Sequence, residues 1–155
     1  MKILMVCLGN ICRSPLAEGI MKEKVRENNL EWDVSSAGTS SYHIGESPDP
    51  RSVKMAESRG LDITDQRAMQ FQRKHFEEYD LIYAMDRANL ENIYNLATKE
   101  SDREKVKMIM EESSTREPED IPDPYWNNQF TKVYDMLDDA CEQIVLKYSN
   151  HNKNQ

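Results

Sequence analysis

Short β-prone segments that end at turn residues are the first pattern along the chain. Residues 2–8 form a continuous run that stops at Gly9, and residues 32–37, 80–85 and 106–110 are further segments of this kind. Apolar runs without alternation, as in the first and third segments, are typical of strands buried on both faces of a parallel sheet. The pattern therefore predicts four strands covered by helices.

Apolar residues recur at helical spacing between these segments. The spacing predicts a first helix from Ser14 to about Asn28, with Ser14 as the N-cap and Pro15 at the first helical position. A second helix is predicted from Pro50 to Arg59 with Gly60 as its C-cap, and a third over residues 89–96. These helices are the crossovers that parallel strands require.

The last third of the chain passes from an irregular segment into a long helix. Residues 111–120 are acidic, residues 121–126 are stiffened by two prolines, and an apolar helix face extends over 130–148 before a frayed tail at about 150–155. The order of elements predicts an α/β fold class. We expect a single domain over residues 1–155, with a four-stranded parallel twisted sheet flanked by helices on both faces.

Charge and composition exclude several classes of protein. Twenty Lys and Arg against 28 Asp and Glu give a net charge of −8, which argues against a nucleic-acid partner because duplex binding depends on clustered basic residues. No apolar run approaches the ~18 residues of a membrane span, so we expect a cytoplasmic protein with no membrane partner. The sequence Gly-x4-Gly-Lys-Ser/Thr is absent, which excludes a nucleotide-binding P-loop.

The cysteines indicate neither a disulfide framework nor a metal site. Cys7, Cys12 and Cys141 are an odd number in a chain long enough to fold without bridges. Their spacing, with only three histidines, does not fit a zinc site. We expect no metal and no cofactor.

The segment with the clearest chemistry is residues 7–15, Cys-Leu-Gly-Asn-Ile-Cys-Arg-Ser-Pro, between the first predicted strand and the first predicted helix. Open α/β sheets bind ligands at the carboxyl ends of their strands. A loop there aims backbone N–H groups and the positive end of a helix at one point. The sequence thus predicts a site for phosphate, sulfate or vanadate.

Cys7 and Arg13 bracket this loop. The five residues between them allow the Cys7 sulfur to lie beneath an anion whose oxygens the Arg13 guanidinium binds bidentately. The same field stabilises a thiolate, which is a nucleophile, and the Ser14 hydroxyl can donate to it. Gly9 and Asn10 tolerate the positive φ that such a loop requires, and the Asn10 side chain can hold the loop by hydrogen bonds.

Cys-x5-Arg by itself is a weak pattern. A buried cysteine at the end of a strand and a surface arginine would also explain it. The strand, the loop and the Ser-Pro helix start together favour the functional interpretation.

Five segments carry a family resemblance. Residues 6–18 resemble the phosphate loop of low-molecular-weight protein tyrosine phosphatases, and Asp123-Pro-Tyr-Trp126 resembles the acid loop of that family. Residues 36–39, 45–51 and 84–90 resemble further family segments in the expected order. The resemblance covers nearly the whole chain. It implies a metal-independent hydrolase whose substrates are proteins that contain phosphotyrosine, and we expect a monomer.

The resemblance makes Cys7 the nucleophile, Arg13 the phosphate clamp and Asp123 the general acid and base. A phenol leaves more easily when it is protonated, which a nearby carboxylic acid can do. Pro122 and Pro124 fix the backbone around Asp123. Without the Cys7 loop, a solvated turn aspartate would be the simpler interpretation.

Aromatic residues on loops are the candidates for the substrate pocket. Tyr42, Tyr125 and Trp126 can enclose a phenyl ring, with Leu8 in the floor or wall, although isolated loop aromatics often serve packing alone. The resemblance also bears on Ile11. Family members that act on phosphoarginine tend to have threonine there, so isoleucine favours phosphotyrosine.

Three other positions are compared with the family. Cys12 matches a cysteine that traps an oxidised nucleophile as a disulfide, with a small apolar filler as the alternative. Cys141 lies on the apolar face of the last helix and is predicted to be core. Many relatives carry His-x-Ala-Arg where this chain has Gln66-Arg-Ala-Met69, so a hydrogen-bonding histidine behind the loop is missing. That difference bears on the rigidity of the loop.

Two other functions use similar residues. A thiol-coupled arsenate reductase needs a further cysteine pair for its redox relay, and Cys141 is alone in its half of the chain. A module that binds phosphotyrosine without turnover has no use for both Cys7 and Asp123.

Overall fold

Four parallel strands form one sheet in the order β2-β1-β3-β4. The strands are β1 (Lys2–Cys7), β2 (Asp33–Gly38), β3 (Leu81–Ala84) and β4 (Val106–Met108). In this computed structural model, which describes residues 1–153, Cys7 pairs with Gly38 and Val6 with Ala84. The carboxyl ends of the three strands β1, β2 and β3 therefore meet at one edge of the sheet, and the predicted fold class is confirmed.

Seven helices connect and cover the strands within the described residues. They are α1 (Arg13–Glu27), α2 (Pro50–Ser58), α3 (His75–Glu78), α4 (Arg87–Leu96), α5 (Glu100–Arg103), α6 (Pro124–Asn127) and α7 (Phe130–Lys153), with a 3-10 turn at Ile109–Glu112. The short helices α3, α5 and α6 and the 3-10 turn were not predicted.

Alternate residues of β1 pack into two cores, one on each face of the sheet. Ile3 and Met5 join the core formed with α1, α2 and α7, whereas Leu4 and Val6 join the core formed with α3 and α4. All four side chains are fully buried. This burial on both faces explains the unbroken apolar run in the sequence, and it fixes Cys7 at the end of a rigid central strand.

The start of α1 differs from the prediction. The helix begins at Arg13 with Cys12 as its N-cap, and no side chain caps it. Ser14 is therefore not the N-cap and Pro15 is not the first helical residue. The Ser14 hydroxyl turns towards the Cys7 sulfur instead.

Other boundaries also shift, and those of β2 and β3 move by one residue at each end. The fourth strand ends at Met108, because the apolar residues 109 and 110 continue as the 3-10 turn. Helix α4 starts at Arg87, two residues earlier than predicted, because the Asp86 side chain accepts a hydrogen bond from a backbone N–H and caps it. Arg59 is the C-cap of α2, and Gly60 follows with a φ of 81°.

Helix α7 lies outside one face of the sheet and packs along α1. Its helical backbone extends to Lys153, into the residues predicted as a frayed tail, and residues 154 and 155 lie outside the described part of the chain. None of the helices in the described residues is long and apolar enough to cross a membrane.

Candidate active site

The loop of residues 8–12 turns from β1 into α1 around the sulfur of Cys7. The Asn10 backbone N–H donates to Cys7 Sγ at 3.3 Å, and Ser14 Oγ lies 3.0 Å from the same sulfur. Ser14 Oγ accepts a hydrogen bond from Asn10 Nδ2 at 2.8 Å, which leaves its own hydrogen for an acceptor. The sulfur is the nearer acceptor, because Ala37 O is 3.5 Å away. The sulfur therefore has two hydrogen-bond donors beside it.

Asn10 is hydrogen-bonded through its side chain to three other residues around the loop. Its φ of 57° is left-handed, and its side chain is almost fully buried. Asn10 Oδ1 accepts from the Met69 backbone N–H at 3.0 Å, and Nδ2 donates to Ser36 Oγ at 2.9 Å as well as to Ser14. Ser36 in turn donates to buried Glu18 at 2.7 Å. The loop is thus tied to β2, to α1 and to the segment around Met69.

The segment that lacks the family histidine still supports the loop. Met69 contributes its backbone N–H to Asn10, and Gln66 Nε2 donates to the Pro15 carbonyl at 3.1 Å. These bonds supply polar contacts behind the loop without an imidazole.

Two glycines allow close packing around the loop. A Cβ on Gly38 would lie 2.8 Å from Leu8 O and 3.0 Å from Asn10 N, so the end of β2 passes directly beneath the loop. A Cβ on Gly9 would lie 3.0 Å from the ring of His43. Gly9 does not have a positive φ, contrary to the prediction, and a side chain there would crowd His43.

Arg13 is buried and oriented by fixed partners. Its Nη1 donates to Asp86 Oδ2 at 2.6 Å and to Ile121 O at 3.0 Å, while Nη2 lies 3.6 Å from Asp123 Oδ2. Burial disfavours its charge, but Cys7, Asp86 and Asp123 outweigh that effect and raise the pKa of Arg13 above its ordinary value. The guanidinium therefore stays charged and keeps one orientation.

Asp86 is a functional candidate that sequence reasoning missed. One carboxylate oxygen binds Arg13, and the other accepts from the Asn89 N–H at the start of α4 at 2.7 Å. Its position directly after β3 was the available signal, because residues after neighbouring parallel strands meet at the same sheet edge.

Asp123 comes from the far end of the chain to lie beside Arg13. It is the N-cap of α6, where its Oδ1 accepts from the Tyr125 N–H at 3.1 Å. Pro124 is the first residue of that short helix. The second oxygen, Oδ2, faces Arg13, and the side chain is 28% exposed, so a ligand can reach it.

A cavity of about 380 Å³ opens above the Cys7 sulfur. Its lining consists of Cys7, Leu8, Gly9, Ile11, Cys12, Arg13, Tyr42, His43, Asp123, Tyr125 and Trp126. All predicted pocket residues are among them, whereas Asn10 and Ser14 do not line the cavity. The aromatic walls are open to solvent, since Tyr42 is 82% and Trp126 79% exposed. His43, whose Nδ1 lies 2.8 Å from Glu46, is a lining residue that sequence reasoning missed.

The other two cysteines differ from Cys7 in their surroundings. Burial, with a contribution from the Asp49 carboxylate, raises the pKa of the Cys12 thiol to about 12. Burial likewise raises the pKa of Cys141 to about 12, and its side chain is in the core as predicted. All three cysteines are unpaired. No three His, Cys, Asp or Glu side chains within the described residues are placed to hold a metal ion.

A parallel α/β sheet with a cysteine, an arginine and an aspartate around one cavity is the arrangement expected of a phosphatase with a cysteine nucleophile. The comparison with known proteins is more specific. The chain belongs to the low molecular weight phosphotyrosine protein phosphatase family, whose model matches residues 2–154. It is accordingly a protein tyrosine phosphatase.

Individual relatives match along almost their full length. A Synechocystis sequence of this family is 44% identical over 149 residues, and the match covers 94% of each chain. The crystal structure of a protein tyrosine phosphatase from Entamoeba histolytica is 36% identical, with a TM-score of 0.92, and covers 98% of this chain and 99% of its own. A Drosophila arginine phosphatase is 33% identical with a TM-score of 0.88, covering 96% of this chain and 98% of its own.

Proposed function

We propose that this enzyme hydrolyses phosphotyrosine in proteins through a phosphocysteine intermediate. The observation that carries the proposal is the convergence of the Cys7 sulfur, the Arg13 guanidinium and the Asp123 carboxyl on one cavity with aromatic walls. Cys7 is the nucleophile, Arg13 binds the phosphoryl oxygens, and Asp123 exchanges protons with the leaving group and with water.

In the first step the Cys7 thiolate attacks phosphorus, a P–S bond forms and the P–O bond to the tyrosine breaks. Asp123 gives its proton to the departing phenolate oxygen. In the second step Asp123 takes a proton from a water molecule as that water attacks phosphorus. The P–S bond then breaks, phosphate leaves, and the contacts from Ser14 and the Asn10 N–H stabilise the returning thiolate.

The proposed substrate is tested against two other phosphorylated amino acids. Because one solved relative is an arginine phosphatase, phosphoarginine is the second candidate substrate. Ile11 lines the cavity, and the family resemblance implies that isoleucine at this position favours the tyrosine ester. We expect kcat/KM for a phosphotyrosine peptide to exceed that for matched phosphoserine and phosphoarginine peptides, with a metal chelator present throughout. Equal values for phosphotyrosine and phosphoserine contradict the aromatic pocket, and a preference for phosphoarginine replaces the proposed substrate.

The other two candidate functions are less well supported. A redox relay for arsenate needs accessible cysteines, and Cys141 is fully buried in the core. A binding module is distinguished from the enzyme by steady release of phosphate. We further propose a monomer that acts in the cytoplasm, where unpaired cysteines are the normal state.

Asp123→Asn is expected to lower the rate mainly for substrates with basic leaving groups. General acid catalysis contributes typically about 10²–10⁴-fold, and a stable phenolate such as p-nitrophenolate needs it least. The measurement is kcat/KM for phenyl phosphate and for p-nitrophenyl phosphate, since this parameter reports transfer of the phosphoryl group to Cys7. An equal loss for the two substrates shows that Asp123 is not the acid.

Mild oxidation is expected to link Cys7 to Cys12 reversibly. Peroxide first oxidises Cys7 to a sulfenic acid. The Cys12 thiolate then attacks the Cys7 sulfur, the S–S bond forms, the S–O bond breaks, and the departing hydroxide takes up a proton to become water. Because the pKa of Cys12 is about 12, its thiolate fraction rises about tenfold per pH unit below that value. Bridge formation after a stoichiometric peroxide pulse is therefore faster at pH 8.5 than at pH 6.5, as peptide mapping can follow. A Cys7–Cys141 bridge, or equal recovery of Cys12→Ser by dithiothreitol, contradicts this role.

A further inference from the structure

Arg51, in the first turn of α2, is bound to the loop that carries Asp123. Its Nη1 donates to Asn128 Oδ1 at 2.7 Å and to the Tyr125 carbonyl at 3.3 Å, and Nη2 approaches the same carbonyl at 3.4 Å. The guanidinium also lies over two aromatic rings, 5.4 Å from the centroid of Tyr125 and 5.0 Å from that of Phe130. These contacts fasten both ends of α6 to α2.

The other side of Arg51 is fixed to the phosphate loop through Asp49. Arg51 donates to Asp49 from Nε at 3.1 Å and from Nη2 at 3.0 Å, and the Asp49 side chain is only 9% exposed. The Asp49 backbone N–H donates to the Ile11 carbonyl at 2.8 Å. A continuous chain of polar contacts therefore runs from the loop around Cys7 to the loop of Asp123.

The Asp123 loop has little apolar packing of its own. Within α6 only Pro124 is buried, and Trp126 projects into solvent. Asn128 closes the helix in the left-handed conformation, with a φ of 58°. Since Asp123 is bonded to the Tyr125 N–H, a shift of Tyr125 moves the carboxyl relative to the Cys7 sulfur. Hydrogen bonds and ion pairs, rather than apolar packing, are therefore the main restraint on the Asp123 carboxyl.

We propose that Arg51 is a positioning residue for the general acid, holding Asp123 at the distance from the phosphate loop that proton transfer requires. The inference rests on the proposed function of Asp123. Arg51 is not among the described residues that line the cavity, so it acts through the Asp123 loop and not on the substrate. A misplacement of about 1 Å at a reacting group can cost on the order of 10²-fold in rate.

The test compares Arg51→Ala with the parent enzyme on phenyl phosphate and p-nitrophenyl phosphate. We expect kcat/KM to fall about tenfold further on phenyl phosphate than on p-nitrophenyl phosphate, because only the first needs a well-placed acid. Arg51→Lys retains charge but not the fork of donors, so we expect an intermediate ratio. In the double variant with Asp123→Asn, loss of Arg51 should not change the substrate ratio further, because the acid is already absent.

Arg59, the C-cap residue of α2, provides a matched control for the loss of a surface arginine. Its Nη2 lies 3.0 Å from Asp135, its guanidinium lies 4.7 Å from the ring centroid of Tyr134, and its exposure of 38% is close to the 41% of Arg51. Arg59→Ala should leave the substrate ratio unchanged.

Three results overturn the positioning role. These are an equal loss of Arg51→Ala on both substrates, the same ratio change in Arg59→Ala, and an undiminished effect of Arg51→Ala in the Asp123→Asn background. If Asp123→Asn itself loses rate equally on both substrates, the proposed acid is wrong and the inference falls with it. The single variants Arg51→Ala and Asp123→Asn therefore distinguish failure of the positioning role from failure of the proposed acid.

Discussion

Cys7→Ser is expected to abolish measurable hydrolysis while leaving the phosphate loop able to bind vanadate. A serine hydroxyl is not ionised near neutral pH, so it is a much weaker nucleophile than a thiolate. Removal of a nucleophile from an enzyme that forms a covalent intermediate costs on the order of 10⁶-fold in kcat. Anion binding persists because it depends on the Arg13 guanidinium, the backbone N–H groups of the loop and the helix end, all of which remain.

The measurement pairs turnover of p-nitrophenyl phosphate with calorimetric titration of vanadate. Cys141→Ala is the matched control, since it removes a buried thiol from the core far along the chain and leaves the cavity intact. Retention of more than a tenth of the parent rate in Cys7→Ser, or loss of vanadate binding together with turnover, contradicts the assigned role.

Arg13→Lys is expected to lower kcat by about 10²–10³-fold, the usual cost of losing one donor that stabilises a transition state. The guanidinium is held by Asp86 and by the Ile121 carbonyl, so its remaining donors have a fixed direction. An ammonium group lacks the planar fork of donors that binds two phosphoryl oxygens bidentately, so this contact is lost. A near-normal kcat excludes the clamp role for Arg13.

Asp86→Asn separates orientation of Arg13 from capping of α4. Asparagine is as good an N-cap as aspartate, so the helix start is retained, but the ion pair with Arg13 is lost. We expect a smaller loss of kcat than in Arg13→Lys with little change in the unfolding midpoint. A large drop in that midpoint instead shows that Asp86 serves mainly the fold.

The sequence predicted the elements and contacts that depend on neighbouring residues. The buried strand before Gly9 and the helix after it place Cys7 and Arg13 at one loop, and the structure has them there. Asp123 lies more than a hundred residues away, and no spacing rule brings it to Arg13. Only the family resemblance did so.

The parts that were missed depend on tertiary contacts or on very short elements. Ser36 and His43 reach the site because strands and loops from different parts of the chain meet there, which local pattern does not encode. Asp86 also reaches it from a distant part of the chain, and its place directly after β3 was the one available signal. The four-residue helices, α3, α5 and α6, are too short to show a helical period. At the end of β4, an apolar run that looks like strand continues as a 3-10 turn.

The packing of Gly38 beneath the phosphate loop limits how this site can be reused in protein design. The bend of residues 8–12 is held by partners that lie elsewhere in the chain, the Ser36 hydroxyl and the Met69 N–H. Any side chain at position 38 would collide with the backbone of the loop. A graft that copies only residues 7–14 into a foreign strand-to-helix turn therefore lacks the contacts that hold the loop in its bend. The smallest transferable unit therefore includes β2, with Ser36 and Gly38.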